Sequence, residues 1–181
     1  MDKSELEIFI KKIKFDPYYI EATFQFHLLM ELAFTYKDHL NKIFPERSIK
    51  YYKLSKLTKE RIDIVLEINN NIAIELKMPM NGQVPEQMFK FIQDMKFLEE
   101  LKSSNKFSKC FLLTVTNNSN FWSGREQDGI YSYFRGNEKI NGIIHKPTGQ
   151  NTNEIFYEIN GEYKIQWNNL NDYFKYFIVE I

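Results

Sequence analysis

A mixed α/β (α+β) fold, with a central mixed β-sheet and flanking helices, is predicted from three stretches of the chain. Residues 61–77, RIDIVLEINNNIAIELK, alternate apolar and polar side chains around an Asn triplet, the pattern of two half-buried strands joined by a turn. Residues 18–40 and 86–102 instead repeat apolar side chains at helical spacing. Residues 109–117, KCFLLTVTN, form a short unbroken apolar run of the kind that makes a buried strand.

Composition suits that reading. At 181 residues and 43% hydrophobic content the chain is expected to form one domain with a sizeable core. Aromatic residues reach 16%. No apolar run is long enough to span a bilayer, and the start MDKSELEIFIKKIKF is charged throughout, unlike a signal peptide. The single cysteine, Cys110, lies in the apolar run and has no partner for an internal disulfide. A reducing, cytoplasmic setting is therefore expected. Cys/His spacing of the zinc type, a P-loop and a Gly-rich dinucleotide fingerprint are all missing from the sequence.

In chain order, residues 18–40 predict a helix with Phe24, Leu28, Leu32 and Tyr36 on its stripe, and with Glu21 and Gln25 one turn apart beside it. Residues 43–54 predict a first strand interrupted by Pro45, with Glu46 just after the proline. Lys50, Lys53, Lys56, Lys59 and Arg61 then gather ahead of the hairpin, a local basic patch on a chain of zero net charge or simply a solvated segment. After Lys77, MPMNGQVPE reads as a loop. The helix over 86–102 carries Met88, Phe91, Ile92, Met95 and Leu98 as its buried side, with Gln87 and Asp94 two turns apart on one face. Beyond the strand at 109–117, FWSGREQDG predicts a loop and GIYSYFRG a strand. EIFYEINGEYKIQW predicts a hairpin closed at Asn160-Gly161, with Phe156, Tyr163, Ile165 and Trp167 on one face. The last stretch, NNLNDYFKYFIVEI, predicts a short capped helix and a terminal strand. His27, His39 and His145 are scattered and read as structural or exposed.

The hairpin raises a chemical question, because Asp63, Glu75 and Lys77 stand among aliphatic residues, where a charge is costly unless paired. Pairing Ile68 with Ile72 would set Asp63 across from Lys77 and diagonal to Glu75, all on one face. The other face would carry seven aliphatic side chains: Ile62, Ile64, Leu66, Ile68, Ile72, Ile74 and Leu76. Diagonal neighbours lie about 7–8 Å apart or less, a span one divalent cation can bridge.

Asp63, eleven intervening residues and then Glu75-Leu76-Lys77, at the end of the aliphatic segment IAIELK, resemble the PD-(D/E)xK, or restriction-endonuclease-like, nuclease superfamily. The resemblance spans about residues 18–116, leaving 117–181 as a β-rich C-terminal extension; Ile62 stands where the family name has Pro. It implies a restriction-endonuclease-like core and a metal-dependent phosphodiester hydrolase, a stand-alone type II restriction-like DNA endonuclease. Double-stranded DNA as substrate and a homodimer follow from it, while repair and RNA-directed relatives share the same core. It further implies that Asp63, Glu75 and the backbone carbonyl of Leu76 hold Mg²⁺, with Mn²⁺ able to substitute, and that Lys77 stabilises developing charge. Glu21, Glu46 and Gln87 take auxiliary places in the resembled pattern. Two other readings stay open. One is a binding or protein-interaction module that keeps the fold without catalysis, and the other is a cross-strand ion pair of Asp63 and Lys77 on a wet sheet face.

Overall fold

Asp2 opens the chain's first helix, α1 (Lys3–Lys12), with a capping box: its carboxylate accepts from Glu5 N at 3.0 Å while Glu5 Oε2 accepts from Asp2 N at 2.7 Å. The computed structural model describes residues 1–68, 70–79, 83–152 and 154–181. Helix α2 (Glu21–Thr35) buries Phe24, Leu28 and Leu32 as the spacing predicts, but it stops short of residue 40. Tyr36 caps it, and a 3₁₀ segment, Lys37–Lys42, follows. Strand β1 (Ile43–Ser48) is likewise shorter than the predicted 43–54, because Ile49–Tyr52 turn as a 3₁₀ helix that sends Ile49 and Tyr52 into the core. Pro45 is tolerated because β1 is an edge strand, where a missing N–H donor leaves no ladder bond unmade.

Strands β2 (Arg61–Ile68) and β3 (Asn70–Lys77) form the expected antiparallel hairpin, with a different register. Ile68 pairs with Asn70 and Ile64 with Ile74, so the position across from Asp63 is Glu75 and not Lys77. Of the predicted Asn turn, Asn70 and Asn71 already belong to β3, and Asn69 lies outside the described residues. The tighter connection shifts the pairing by two residues, which preserves the faces and changes the partners. Part of the predicted loop after Lys77, residues 80–82, also lies outside the described residues. Helix α3 (Val84–Ser103), with Pro at its start, carries the chain to β4 (Lys109–Thr116), which lies parallel to β3.

The C-terminal third departs most from expectation. GIYSYFRG is not a strand but helix α4 (Ile130–Arg135), which places Ile130 and Phe134 one turn apart in the core despite their strand propensity. The Asn160-Gly161 hairpin does not form, because β6 (Phe156–Tyr163) continues past it, pairing with β5 (Ile140–His145) and bulging there between the Gly142–Ile159 and Ile140–Tyr163 pairs. Neither residue adopts the positive φ that such a turn requires. Their amides are taken by the buried carboxylate of Glu99 on α3, at 3.0 Å from Asn160 N and 2.6 Å from Gly161 N. Of the four predicted face-mates, Phe156 is exposed, while Tyr163, Ile165 and Trp167 join the core under α3, Trp167 edge-on against Phe177. No helix precedes the final strand. Asn171 instead accepts from Tyr173 N and Phe174 N in a turn joining β7 (Asn168–Asn169) to β8 (Lys175–Glu180).

Among the described residues the result is a mixed six-stranded sheet, β1-β2-β3-β4-β8-β7, with a separate β5-β6 pair. One face, with Ile64, Leu66, Ile72, Ile74 and Leu76, packs under α1 and α2; the other, with Val65, Ala73, Cys110 and Leu112, packs under α3, whose predicted stripe is fully buried. Ile62 breaks the expected set of seven aliphatic face-mates by joining the α3 side, and Ile68 is only half-buried. The alternation of β2 therefore slips at Asp63. No helix among the described residues is long and apolar enough to cross a membrane.

Candidate active site

Beyond the Ile64–Ile74 pair the β2–β3 ladder gives way to side-chain bonds. Leu76 N donates to Asp63 Oδ2 at 2.7 Å, and Asp63 N donates to Glu75 Oε1 at 3.2 Å. Two carboxylates thus replace backbone carbonyls as acceptors at this end of the hairpin. A buried amide must find some acceptor, and here the acceptors are side-chain carboxyl oxygens, so Asp63 and Glu75 are held face to face by the strands they interrupt.

Glu75 is 0% exposed. Burial, reinforced by Asp63 and Asp94, holds its carboxyl well above the usual carboxylate range, against the opposing pull of Lys59. Lys59 Nζ bonds Glu75 Oε2 and also Asp94 Oδ1, the latter at 2.9 Å. Lys77 Nζ pairs with the other oxygen of Asp94 at 3.3 Å. Burial disfavours the charged form of both lysines, yet the surrounding carboxylates win and raise both above the ordinary lysine value. Asp94, in the middle of α3, accordingly links two ammonium groups between the helix and the sheet.

On the α2 side of Asp63 lies a cavity of about 160 Å³ bounded by Glu21, Ala22, Gln25, Glu46, Asp63 and Leu76. Glu21 Oε2 accepts from Met78 N at 2.8 Å, just past the end of β3. Gln25 Nε2 donates to the Asp63 carbonyl at 2.9 Å and to Glu46 Oε1 at 3.1 Å. Glu46 stands between the Pro45–Ile64 and Arg47–Ile62 pairs, across from Asp63, with a left-handed φ of 51°. That conformation is strained for a non-glycine residue. Gln87 is half-buried in the first turn of α3, on the face that carries Asp94.

No protein-family model matches this chain. Neither a curated protein nor a solved structure matches it significantly.

Geometry brings together Asp63, Glu75, Glu21 and Glu46, and it sets Lys77 against Asp94 rather than against Asp63. The ion pair of Asp63 and Lys77 expected on a wet sheet face is absent from the pairs among the described residues, and Glu75 is buried rather than solvated. Two members of the cluster were not singled out by sequence as site residues. Lys59 read as one of five surface bases, and Asp94 as a helix polar residue beside Gln87. The signal for Asp94 was an acid among Met88, Phe91, Ile92, Met95 and Leu98, where only a paired carboxylate is stable. Lys59 offered none, since Lys50, Lys53, Lys56 and Arg61 look the same in sequence and remain exposed.

Among the described residues, no set of three His, Cys, Asp or Glu side chains is already gathered to hold a metal ion. Lys59 stands between Glu75 and Asp94 instead. The donor chemistry nevertheless suits a hard divalent cation. Four carboxyl groups, Glu21, Asp63, Glu75 and Asp94, lie around only two ammonium groups, Lys59 and Lys77, an excess of oxygen donors over cations.

Proposed function

We propose that this chain is a metal-dependent phosphodiester hydrolase with a restriction-endonuclease-like core, acting as a type II restriction-like endonuclease on double-stranded DNA. The observation that carries this reading is the opened hairpin end, where Asp63 and Glu75 face each other around Leu76 N and two ammonium groups stand behind them. Asp63 and Glu75, with the carbonyl oxygen of Leu76, would hold Mg²⁺ or Mn²⁺. When bound, such an ion supplies Lewis-acid polarisation of a phosphate oxygen and a more acidic water.

The reaction joins a water oxygen to phosphorus and breaks a phosphorus–ester oxygen bond, which concentrates negative charge on the non-bridging oxygens. Lys77 is placed to stabilise that charge: it is partly exposed, and Asp94 and Glu21 keep it protonated. Asp94 positions Lys77 and Lys59 together, and Gln25 fixes the backbone of Asp63 through its carbonyl. Glu21, at the rim of the cavity, is suited to orienting a water.

Incubation of supercoiled plasmid and single-stranded DNA with the protein and Mg²⁺ or Mn²⁺ tests the reading. Cleavage is expected from the wild-type chain and loss of cleavage from Asp63→Asn and Glu75→Gln, each still folded by circular dichroism. Wild-type turnover in either variant would remove that residue from the site. No cleavage of DNA or RNA by the wild-type chain with either ion would overturn the proposal.

A further inference from the structure

The C-terminal third builds a second cleft, of about 480 Å³, that shares no residue with the candidate site. That volume falls within the ~300–1,000 Å³ common to small-ligand sites. Its walls carry Trp122 and Trp167, the two tryptophans of the chain, with ring centroids 5.6 Å apart. Both indoles are half-buried, so each keeps some surface for a ligand. Trp167 is also held in place: its Nε1 donates to the Phe134 carbonyl at 3.0 Å, and its ring meets Phe177 edge-on.

Three cations join the indoles. Arg135 from the last turn of α4, Lys164 just past the end of β6 and Lys175 at the start of β8 all line the cleft, and among the described residues no acidic side chain does. Basic and acidic residues balance at 24 each over the whole chain, so three against none is a local excess that the net charge conceals. Among the described residues none of the three is in an ion pair. Arg135 donates instead to the backbone carbonyls of Asn120 and Glu126, at 2.9 and 2.8 Å, which fix the guanidinium without neutralising it. Lys175 Nζ stands 5.2 Å from the centroid of the Trp122 ring, again a neutral partner.

We infer that this cleft binds an unpaired nucleotide of a single strand, its base against the indoles of Trp122 and Trp167 and its flanking phosphates on Arg135, Lys164 and Lys175. Every base has a π-face, and aromatic side chains beside a row of cations hold single strands with little regard to sequence. In a duplex those faces are covered by the neighbouring base pairs, so the cleft selects for the unpaired form. A free nucleotide offers the same chemistry with phosphate on one side only, whereas three cations from three elements suit a strand that brings phosphate to both sides. The cavity beside Asp63 is the reverse: Glu21, Glu46 and Asp63 line it, and it offers a phosphate no cationic side chain. Binding in the cleft therefore needs no divalent ion, and it is separable from cleavage.

Titration of the full chain with hexathymidylate in EDTA, where metal-dependent cleavage is suppressed, provides the test. Both tryptophans lie in the cleft, so their emission reports on it directly, and saturable quenching is expected. The logarithm of the association constant should fall with that of the salt concentration at a slope of about −2, roughly 0.7 for each phosphate contact. Lys164→Glu, at an exposed side chain, should keep the wild-type melting temperature and weaken binding at least about 10-fold, read by anisotropy of a labelled oligonucleotide. Trp122→Ala should weaken it by a similar factor; where that variant does not fold, Lys164→Glu decides. A duplex of the same length should bind at least about 10-fold more weakly than the single strand. No saturation by about 1 mM, weaker than ordinary non-specific binding, would overturn the inference, as would an unchanged affinity in Lys164→Glu or a duplex that binds as tightly. Equal quenching by inorganic pyrophosphate would overturn the part played by the base, and equal affinity for thymidine 5′-monophosphate the strand as its source. A chain that binds the oligonucleotide in EDTA but cuts nothing with Mg²⁺ leaves the cleft's assignment standing, and a chain that cuts without binding there overturns it without touching the proposed activity.

Discussion

Lys59 and Lys77 both touch Asp94, yet their surroundings give them different work. Both are partly exposed, but Lys77 meets one oxygen of one carboxylate, whereas Lys59 joins the fully buried Glu75 to Asp94. Removing Lys77 should therefore affect chemistry more than folding. Lys77→Ala is expected to lower the single-turnover cleavage rate by about 10²–10³ with substrate binding little changed. Lys77→Arg should not restore the rate, because a planar guanidinium does not fit the place of a compact ammonium. Lys59→Met should do the opposite. Breaking a buried pair on one side leaves an uncompensated carboxylate and costs on the order of 3–5 kcal/mol. Saturating Mg²⁺ should return part of that loss as a rise in melting temperature larger than the wild-type chain shows. A Lys77→Ala variant that cuts at the wild-type rate would take Lys77 out of the chemistry.

At the scale of elements, α3 organises what surrounds it through single polar side chains set in an apolar helix. Asp94 ties it to the sheet, and Glu99 ties it to β6 by accepting from Asn160 N, Gly161 N and, at 3.0 Å, the Tyr163 hydroxyl. Glu99→Ala leaves those half-buried donors without their acceptor, at about 1–3 kcal/mol for each one that water cannot reach. The urea midpoint should fall accordingly, and Glu99→Gln, which keeps an acceptor oxygen, should fall less. Equal midpoints for Glu99→Ala and wild type would show that β6 is held by its pairing with β5 alone. Glu99 also shows why the sequence misled at Asn160-Gly161: a local turn signal was overruled by a carboxylate 61 residues away. Patterns set by local periodicity, the 61–77 hairpin and the stripes of α2 and α3, were legible. Its register was not, since that depended on the tightness of one turn. In the site, Asp63 and Glu75 stood out as charges inside apolar strands. The role of Lys59 depended on tertiary folding of a loop that nothing local distinguishes.

Across the whole molecule, the C-terminal third is woven into the sheet. Strand β8 pairs along the length of β4, from Phe111–Glu180 to Thr116–Lys175, while Phe134 and Phe177 stack on Phe91 of α3. Truncation after residue 117 should consequently leave a chain without cooperative thermal unfolding and sensitive to protease, rather than a smaller folded core. A sharp melting transition in that fragment would contradict this. The strand order carries a further consequence, in time rather than in space. The β2–β3 hairpin can close early, but the strand beside β4 is far from it in sequence, and non-local pairing of this kind is slow. Until β8 docks, the outer edge of β4 is unpaired and the core under α3, which carries Asp94, lacks Phe177 and Val179. A chain whose β8 has yet to pair therefore carries all the charged residues of the site on an unfinished sheet, and whatever chemistry they perform waits for that last strand.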